Sequence, residues 1–374
     1  MQGGRTPFMW VPAPSILERD DLDKNLPELP NTGAVFLVRA GEKSEYLAKT
    51  TALRRRLLRI LPAEAEGRRS LNLRGVVTRV EYWLTGSKFE STLIHYALAK
   101  ENYPADYPRM VKLRLPAYVK LVLANEFPRT QVTARLGGGR GMFYGPFLTR
   151  GSAEAFESGF LDFFQLRRCQ ENLVPRPDHP GCIYGEMNMC LRPCQQVVGV
   201  EEYASEVKRV ADFLSSDGKG LLQSVRAARD RLSEDMEFEA AAREHKRWDQ
   251  IQQVLSLRDE LVCDIERLYG VAVTPSCSLG TVRLWFVWKG AWQPVQEFPL
   301  QSHISLDQRL RELVNGWAPV SVSTLDRQEH LAILARWRYS SWGDGEWISF
   351  PSPTEVPYKK LVRAISRMHR TEEP

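Results

Sequence analysis

The sequence has no apolar run long enough to cross a membrane, and its opening residues, MQGGRTPFMWVPAPS, lack the apolar centre of a secretory signal. A cytoplasmic protein with no membrane partner is therefore expected. An excess of charge of one sign is small too: the formal balance is +5, too little to establish nucleic-acid binding by itself. No internal repeat or low-complexity tract is present, which excludes solenoid and linker-type chains. The glycine stretch GGGRGMFYGPF lacks the lysine-serine/threonine ending of a phosphate-cradling loop and opens no evident helix. Cysteine is rare, at six in 374 residues, yet four of the six fall close together.

Those four, Cys169, Cys182, Cys190 and Cys194, read C-x12-C-x7-C-x3-C. In a reducing compartment, clustered thiols are more often metal ligands than disulfide partners. Four thiolates suit a tetrahedral zinc or an iron–sulfur cluster, and the spacing does not choose between them. Apolar thiols meeting by chance and two disulfides in an exported protein are the competing readings. A second local excess is arginine, with LRRRLLR over residues 53–59 and then Arg68, Arg69 and Arg74. An arginine-dense helix is either a phosphate-binding face or a solvated face carrying scattered charge.

The length allows two or three domains, and the pattern of elements is α/β and multi-domain. Residues 1–25 read as an irregular leader rich in proline and charge. AVFLVRA (residues 34–40) suits a strand, residues 41–43 a turn, and residues 45–48 a second strand. Over residues 50–61 Leu53, Leu57, Leu58 and Leu61 recur on one side of a helix, with arginines on the other. GVVTRVEYWL (residues 75–84) alternates as a third strand, and residues 88–101 read as a second helix. Further strand signals fill residues 109–168. A long helical stretch runs from 200 to about 266, broken near 235–238 into a hairpin. Strands and a helix carrying LAILARW close the chain.

In their order these pieces resemble the amino-terminal half of the UvrC family, the incision subunit of bacterial nucleotide excision repair. LPELP at residues 26–30, followed by GAVFLV, is similar to the entry into a GIY-YIG nuclease domain. EYLAKTTALRRRL resembles that domain's YIG-K-x-x-x-L-x-x-R helix start, and FYGPF resembles a YFGPY element. The four cysteines sit where the family has four. LSEDMEFEAAAREHKRWDQI resembles the UVR motif, a helical hairpin through which UvrC engages UvrB. The resemblance covers about residues 26–260. It implies a GIY-YIG-like domain at 26–108, a strand-rich connector at 109–168 and a four-cysteine region at 169–198. A helical region follows at 199–264, with the UVR motif at about 222–257. It also implies damaged duplex DNA and a UvrB-like protein as partners. A [4Fe-4S] cluster, with zinc as the alternative, is the implied cofactor of the cysteines.

The same resemblance assigns residues to the cutting site. Such a domain uses two tyrosines, an arginine, a metal-binding glutamate and a late asparagine. The first tyrosine falls on Phe36, the second on Tyr46, the arginine on Arg56 and the motif's lysine on Lys49. The glutamate falls on His95 and the asparagine on Tyr107, so a hydroxyl, a carboxylate and an amide are missing. An imidazole is a poor ligand for the hard Mg²⁺ or Mn²⁺ of such a site. Glu90 lies five residues before His95, off its helix face. The expected catalytic set, Tyr46, Arg56 and His95, is thus degenerate. Lys49, Arg54, Arg55 and Arg59 remain as DNA contacts acting by charge. The alternatives are an active endonuclease of the Cho type making a single incision, and a non-catalytic regulator of a UvrB-like helicase.

In the hairpin, Met236, Phe238, Ala241, Ala242, Trp248 and Ile251 form an apolar stripe expected to meet the partner. Residues 265–374 read as a small α/β domain resembling a truncated RNase H-like domain. GVAVTP carries no acid, and Asp307, Asp326, Asp344 and Glu346 are scattered, so no second cutting site is expected. The tryptophan-rich pieces near 285–292 and 337–347 read as a small core.

Overall fold

The computed structural model describes residues 11–41, 43–62, 71–137, 139–340 and 343–370. Arg68 and Arg69 lie outside them. The first unit contains β1 (Ser15–Glu18), α1 (Leu22–Asn25), β2 (Ala34–Ala40), β3 (Lys43–Thr50) and α2 (Leu53–Ile60). It continues with β4 (Arg79–Leu84), α3 (Lys88–Asn102) and α4 (Tyr107–Met110). Its strands form one antiparallel sheet in the order β1-β4-β2-β3. Because side chains alternate along a strand, β2 feeds two cores. Ala34, Phe36 and Val38 face the α2 side, while Val35 and Leu37 face α3.

Three expectations change here. The leader is not wholly irregular, since Ser15–Glu18 pairs with β4 and buries Leu17, and Leu22 and Leu26 join the same core. The third strand begins at Arg79, with a turn before it. On α2, Leu53, Leu57 and Ile60 are buried at i, i+4, i+7 spacing, but Leu58 is 44% exposed because it lies off that stripe.

The second unit runs through β5 (Ala117–Val122), β6 (Arg129–Thr133), β7 (Gly141–Phe147), α5 (Arg150–Leu161) and α6 (Ile183–Glu186). Three long helices follow, α7 (Val200–Ser215), α8 (Lys219–Glu234) and α9 (Phe238–Leu255), and then β8 (Cys263–Asp264). The antiparallel sheet order is β6-β5-β7-β8. The glycine stretch is therefore the β6–β7 turn and strand β7. Sheet, α5, α7 and the α8–α9 hairpin bury one shared core. The long helical stretch breaks twice. The second break, at 235–237, is where it was expected. The first falls at Asp217 and Gly218, both left-handed at φ 54° and 76°, and helix stops at Leu255 rather than near 266.

The third unit comprises β9 (Tyr269–Pro275), β10 (Thr281–Trp288), β11 (Ala291–Trp292), β12 (Gln296–Pro299), α10 (Leu306–Asn315), α11 (Thr324–Arg338), β13 (Glu346–Phe350) and α12 (Tyr358–Arg370). Its antiparallel sheet runs β11-β10-β9-β13, with β12 also on β10. Helices α10 and α12 cover one face. The other face packs on α3 and α11 in a core continuous with the first unit. Phe89 of α3 sits among Trp337, Trp292 and Trp285, with ring centroids 4.5, 5.0 and 5.6 Å away. Trp285, Trp292, Trp337 and Trp347 are core, as expected, while Trp342 lies outside the described residues.

Helix α3 is consequently buried from Phe89 through Ala99, all round rather than on one stripe. Ser87 caps it by accepting from Glu90 N at 3.0 Å, and Asp344 of the third unit accepts from Phe89 N at 2.9 Å. Glu90 forms a buried ion pair with Arg283 of β10. Just before the helix, Gly86 lies so close to the Ser276 backbone that any Cβ would collide with it.

Candidate functional site

Tyr46 and Arg56 are brought together: the guanidinium Nη2 donates to the phenol oxygen at 2.6 Å. The Phe36 ring lies 5.9 Å from the Tyr46 ring, fully buried on the α2 side of the sheet. Lys49 takes the opposite face of β3 by alternation, and its Nζ donates to Thr92 Oγ1 on α3 at 3.0 Å. His95 is one turn further along α3. Burial first, then the charges of Lys49 and Arg336, push its imidazole down to about 4. It is therefore neutral at physiological pH and sits in positive potential.

The two halves meet where β3 ends. A cleft of about 540 Å³ is lined there by Lys49, Thr50, Thr51, Arg56, Arg59, Lys88, Ser91 and Arg336. Among the described residues its lining contains no carboxylate. Lys49 is held down to about 8 by burial, with Arg336 and Lys112 adding repulsion and Asp344 opposing it. Arg336 comes from α11, far along the chain, and its Nη1 donates to Val111 O at 2.6 Å. Motif reasoning missed this residue, because only docking of the third unit brings it to the cleft.

Other assigned residues are elsewhere. Tyr107 hydrogen-bonds Glu329, which also accepts from Tyr96 at 2.5 Å and pairs with Lys100. That cluster joins α3 and α4 to α11, and it gives Tyr107 a structural partner. Glu90 is spent on Arg283, so it cannot replace the missing carboxylate. Arg54 and Arg55 lie exposed on the outside of α2. Arg74 is paired with Asp23 at 2.5 Å. In the third unit Asp307 pairs with Arg311, Asp326 with Lys100 and Glu346 with Arg367, while Asp344 caps α3. These acids are separately engaged.

The cysteine segment differs in construction. Between Arg167 and Val200 only α6 and a single turn at 193–195 are regular. Of residues 168–199, the buried ones are Gly185, Cys190, Pro193 and Cys194. Val174, Ile183 and Met187 are 74%, 63% and 62% exposed. An irregular stretch of this length without its own apolar core calls for another constraint. Its two arms touch through Arg176 N donating to Cys194 O at 3.0 Å. Buried Arg167 donates to Cys169 Sγ at 3.3 Å, and Arg192 N donates to Cys190 Sγ at 3.4 Å. Burial pushes the Cys190 thiol up to about 11, and Cys169, Cys182 and Cys194 add to the rise. Among the described residues no three His, Cys, Asp or Glu side chains are already gathered as a ligand set. The donor set still fits a thiolate metal site in kind: four soft sulfurs, two of them buried, with N–H donors on two.

In the hairpin the expected stripe divides. Ile251, Ala241 and half-buried Trp248 pack inward, whereas Met236 and Phe238 at the tip are 76% and 66% exposed and Ala242 is exposed. Met236 holds a left-handed φ of 57°, at a helix end where glycine is the default.

The molecule is thus a three-unit α/β protein with a cation-lined cleft between its first and third units and four thiols along one irregular segment of its second. Residues 117–213 match the UvrC/Cho excinuclease middle domain. The UvrABC system protein C of Lachnospira eligens is 23% identical over 276 residues, covering 72% of this chain and 45% of that protein. Its counterpart in Anaplasma marginale is 27% identical over 263 residues, covering 68% and 43%. That of Moorella thermoacetica is 25% identical over 235 residues, covering 63% and 38%. These matches support a UvrC family protein, at low identity and over part of its length. The chain spans less than half the length of these curated relatives. No solved structure matches it.

Proposed function

We propose that this chain is a UvrC-like nucleotide excision repair protein that binds damaged DNA and a UvrB-like partner, and that its GIY-YIG-like site no longer cuts. The composition of the cleft carries this reading. Hydrolysis of a phosphodiester at such a site needs an anionic oxygen to hold a divalent metal. Here that position is His95, neutral and flanked by Lys49 and Arg336. Lys49, Arg56, Arg59, Lys88 and Arg336 repel a divalent cation and attract phosphate. What remains is the binding half of a nuclease. The test is incision of damaged plasmid with the partner present and Mg²⁺ or Mn²⁺ supplied. No nicking is expected; efficient nicking that Arg56→Ala abolishes would overturn the reading.

The second reading, a single-incision endonuclease of altered chemistry, is favoured by one observation, the hydrogen bond between Tyr46 and Arg56. Cutting that survives His95→Ala would remove His95 from that mechanism. The four thiols would hold a [4Fe-4S] cluster or zinc, which would supply a structural crosslink. About four irons per chain after anaerobic purification would select the cluster. The partner surface is proposed to be the hairpin tip, Met236 and Phe238. No cutting role is proposed for the third unit, whose acids Asp307, Asp326, Asp344 and Glu346 are each engaged by other groups.

A further inference from the structure

Arg336 lines two clefts at once. One is the cationic cleft already described. The other, about 580 Å³, opens between the first two units and α11, and includes Lys112, Arg114, Leu115, Leu148 and Tyr339. Among the described residues neither lining contains a carboxylate. Asp344, the acid whose charge reaches Lys49, has both oxygens engaged, by Phe89 N and Trp337 Nε1.

We propose that the two clefts form one continuous track for a single DNA strand, centred on Arg336. Phosphates sit on the cations of the first cleft, and a base rests against the apolar wall of the second. The proposal builds on the DNA-binding part of the reading above and adds the strand form and the residues that hold it.

Three observations support the track. The cations come from β3, α2, α3, the loop after α4 and α11, so the fold converges like charges that the sequence keeps apart. They feel one another: Lys49 is depressed by burial and then by Arg336 and Lys112, and Arg336 by burial and then by Arg114. A polyanion relieves that repulsion. Lys112 also holds a left-handed φ of 52° just past α4, a position glycine takes without strain, so a cation stands there against the local backbone preference. The second cleft selects the strand form. Leu115 and Leu148 are 37% and 57% exposed beside Lys112 and Arg114. A duplex turns phosphates outward and keeps its bases stacked, whereas a single strand offers base and phosphate together.

The test uses the full chain and fluorescence anisotropy, with a labelled oligothymidylate and a duplex of equal length, across a salt series. The single strand is expected to bind more tightly. Arg336→Gln and Lys112→Gly are each expected to flatten its log–log salt slope by about 0.7. Lys112→Gly relieves the backbone, so weaker binding by that variant cannot be ascribed to unfolding. Tighter duplex binding overturns the single-strand track. Unchanged slopes in both variants, with a drop in Arg54→Gln or Arg55→Gln, overturn it while leaving the DNA-binding reading standing. A wild-type chain that binds neither form removes both.

Discussion

The cleft between the first and third units and the cysteine segment in the second are opposites. The cleft is walled by elements fixed in deep cores: β3 in a four-stranded sheet, α3 buried all round, and α11 of the third unit packed in the same core as α3. Its lining is cationic and, among the described residues, contains no carboxylate. The cysteine segment has the full set of soft donors but almost no regular structure and no core of its own. The contrast teaches that shape and chemistry are supplied separately. A site on buried elements holds its form whatever groups line it, whereas a site made of ligands loses its form when the ligand set is broken.

The largest test of that contrast is on the cysteine side. Cys190→Ser or Cys194→Ser is expected to abolish bound metal and leave residues 169–199 exchanging amide protons like an unfolded chain, since metal binding energy at such sites is folding energy. A variant that keeps its metal content and protection would break the comparison. On the scaffold side, Glu90→Ala leaves Arg283 buried with exposed Glu297 as its remaining carboxylate, at 2.8 Å. A loss of roughly 3–5 kcal/mol in urea unfolding is expected, with the cysteine segment's metal unaffected.

The third test is acid. His95 is depressed to about 4 from 6.5, so its stabilising contribution is complete above pH 6.5 and is lost as the pH falls through 4. The full span is on the order of 3 kcal/mol. Urea midpoints measured across that window should fall less steeply in His95→Gln than in the wild type; parallel curves would remove His95 as the cause. The smallest effect is at the hairpin tip. Met236→Gly is expected to leave stability unchanged or raise it by up to ~1 kcal/mol as the left-handed strain is relieved. Phe238→Ala should change stability by less than ~0.5 kcal/mol while weakening capture of a UvrB-like protein. A marked loss of stability in Phe238→Ala would mean the tip is packed rather than presented.

Local pattern made β2, α2, α3 and the β10–β11 hairpin legible, because each rests on periodicity or turn chemistry within a few residues. Tyr46 and Arg56 were named by motif resemblance, one strand and the next helix apart, and their hydrogen bond appears only in the fold. What was hidden depends on distant docking. Arg336 reads as one charge on an apolar helix until α11 settles against α3. Tyr107 stands where the resemblance expects an asparagine, and only the docking of α11 shows that Glu329 engages it. Leu17 reads as part of an irregular leader until β4 offers it an edge. The Asp217–Gly218 break was present as a DGKG signal but was masked by strong helical pattern on both sides.

One consequence follows from the burial of α3. Its partners lie far downstream: Asp344 is 255 positions after Phe89, and Glu329 is 229 after Lys100. During synthesis the helix therefore leaves the ribosome long before its second wall exists. Phe89, Tyr96 and the surrounding apolar face stay wet until α11 and the third sheet arrive. A chain stopped after the hairpin would leave the first unit with an uncovered face rather than as a free-standing domain, and chaperone demand should fall only once α11 and the third sheet are made.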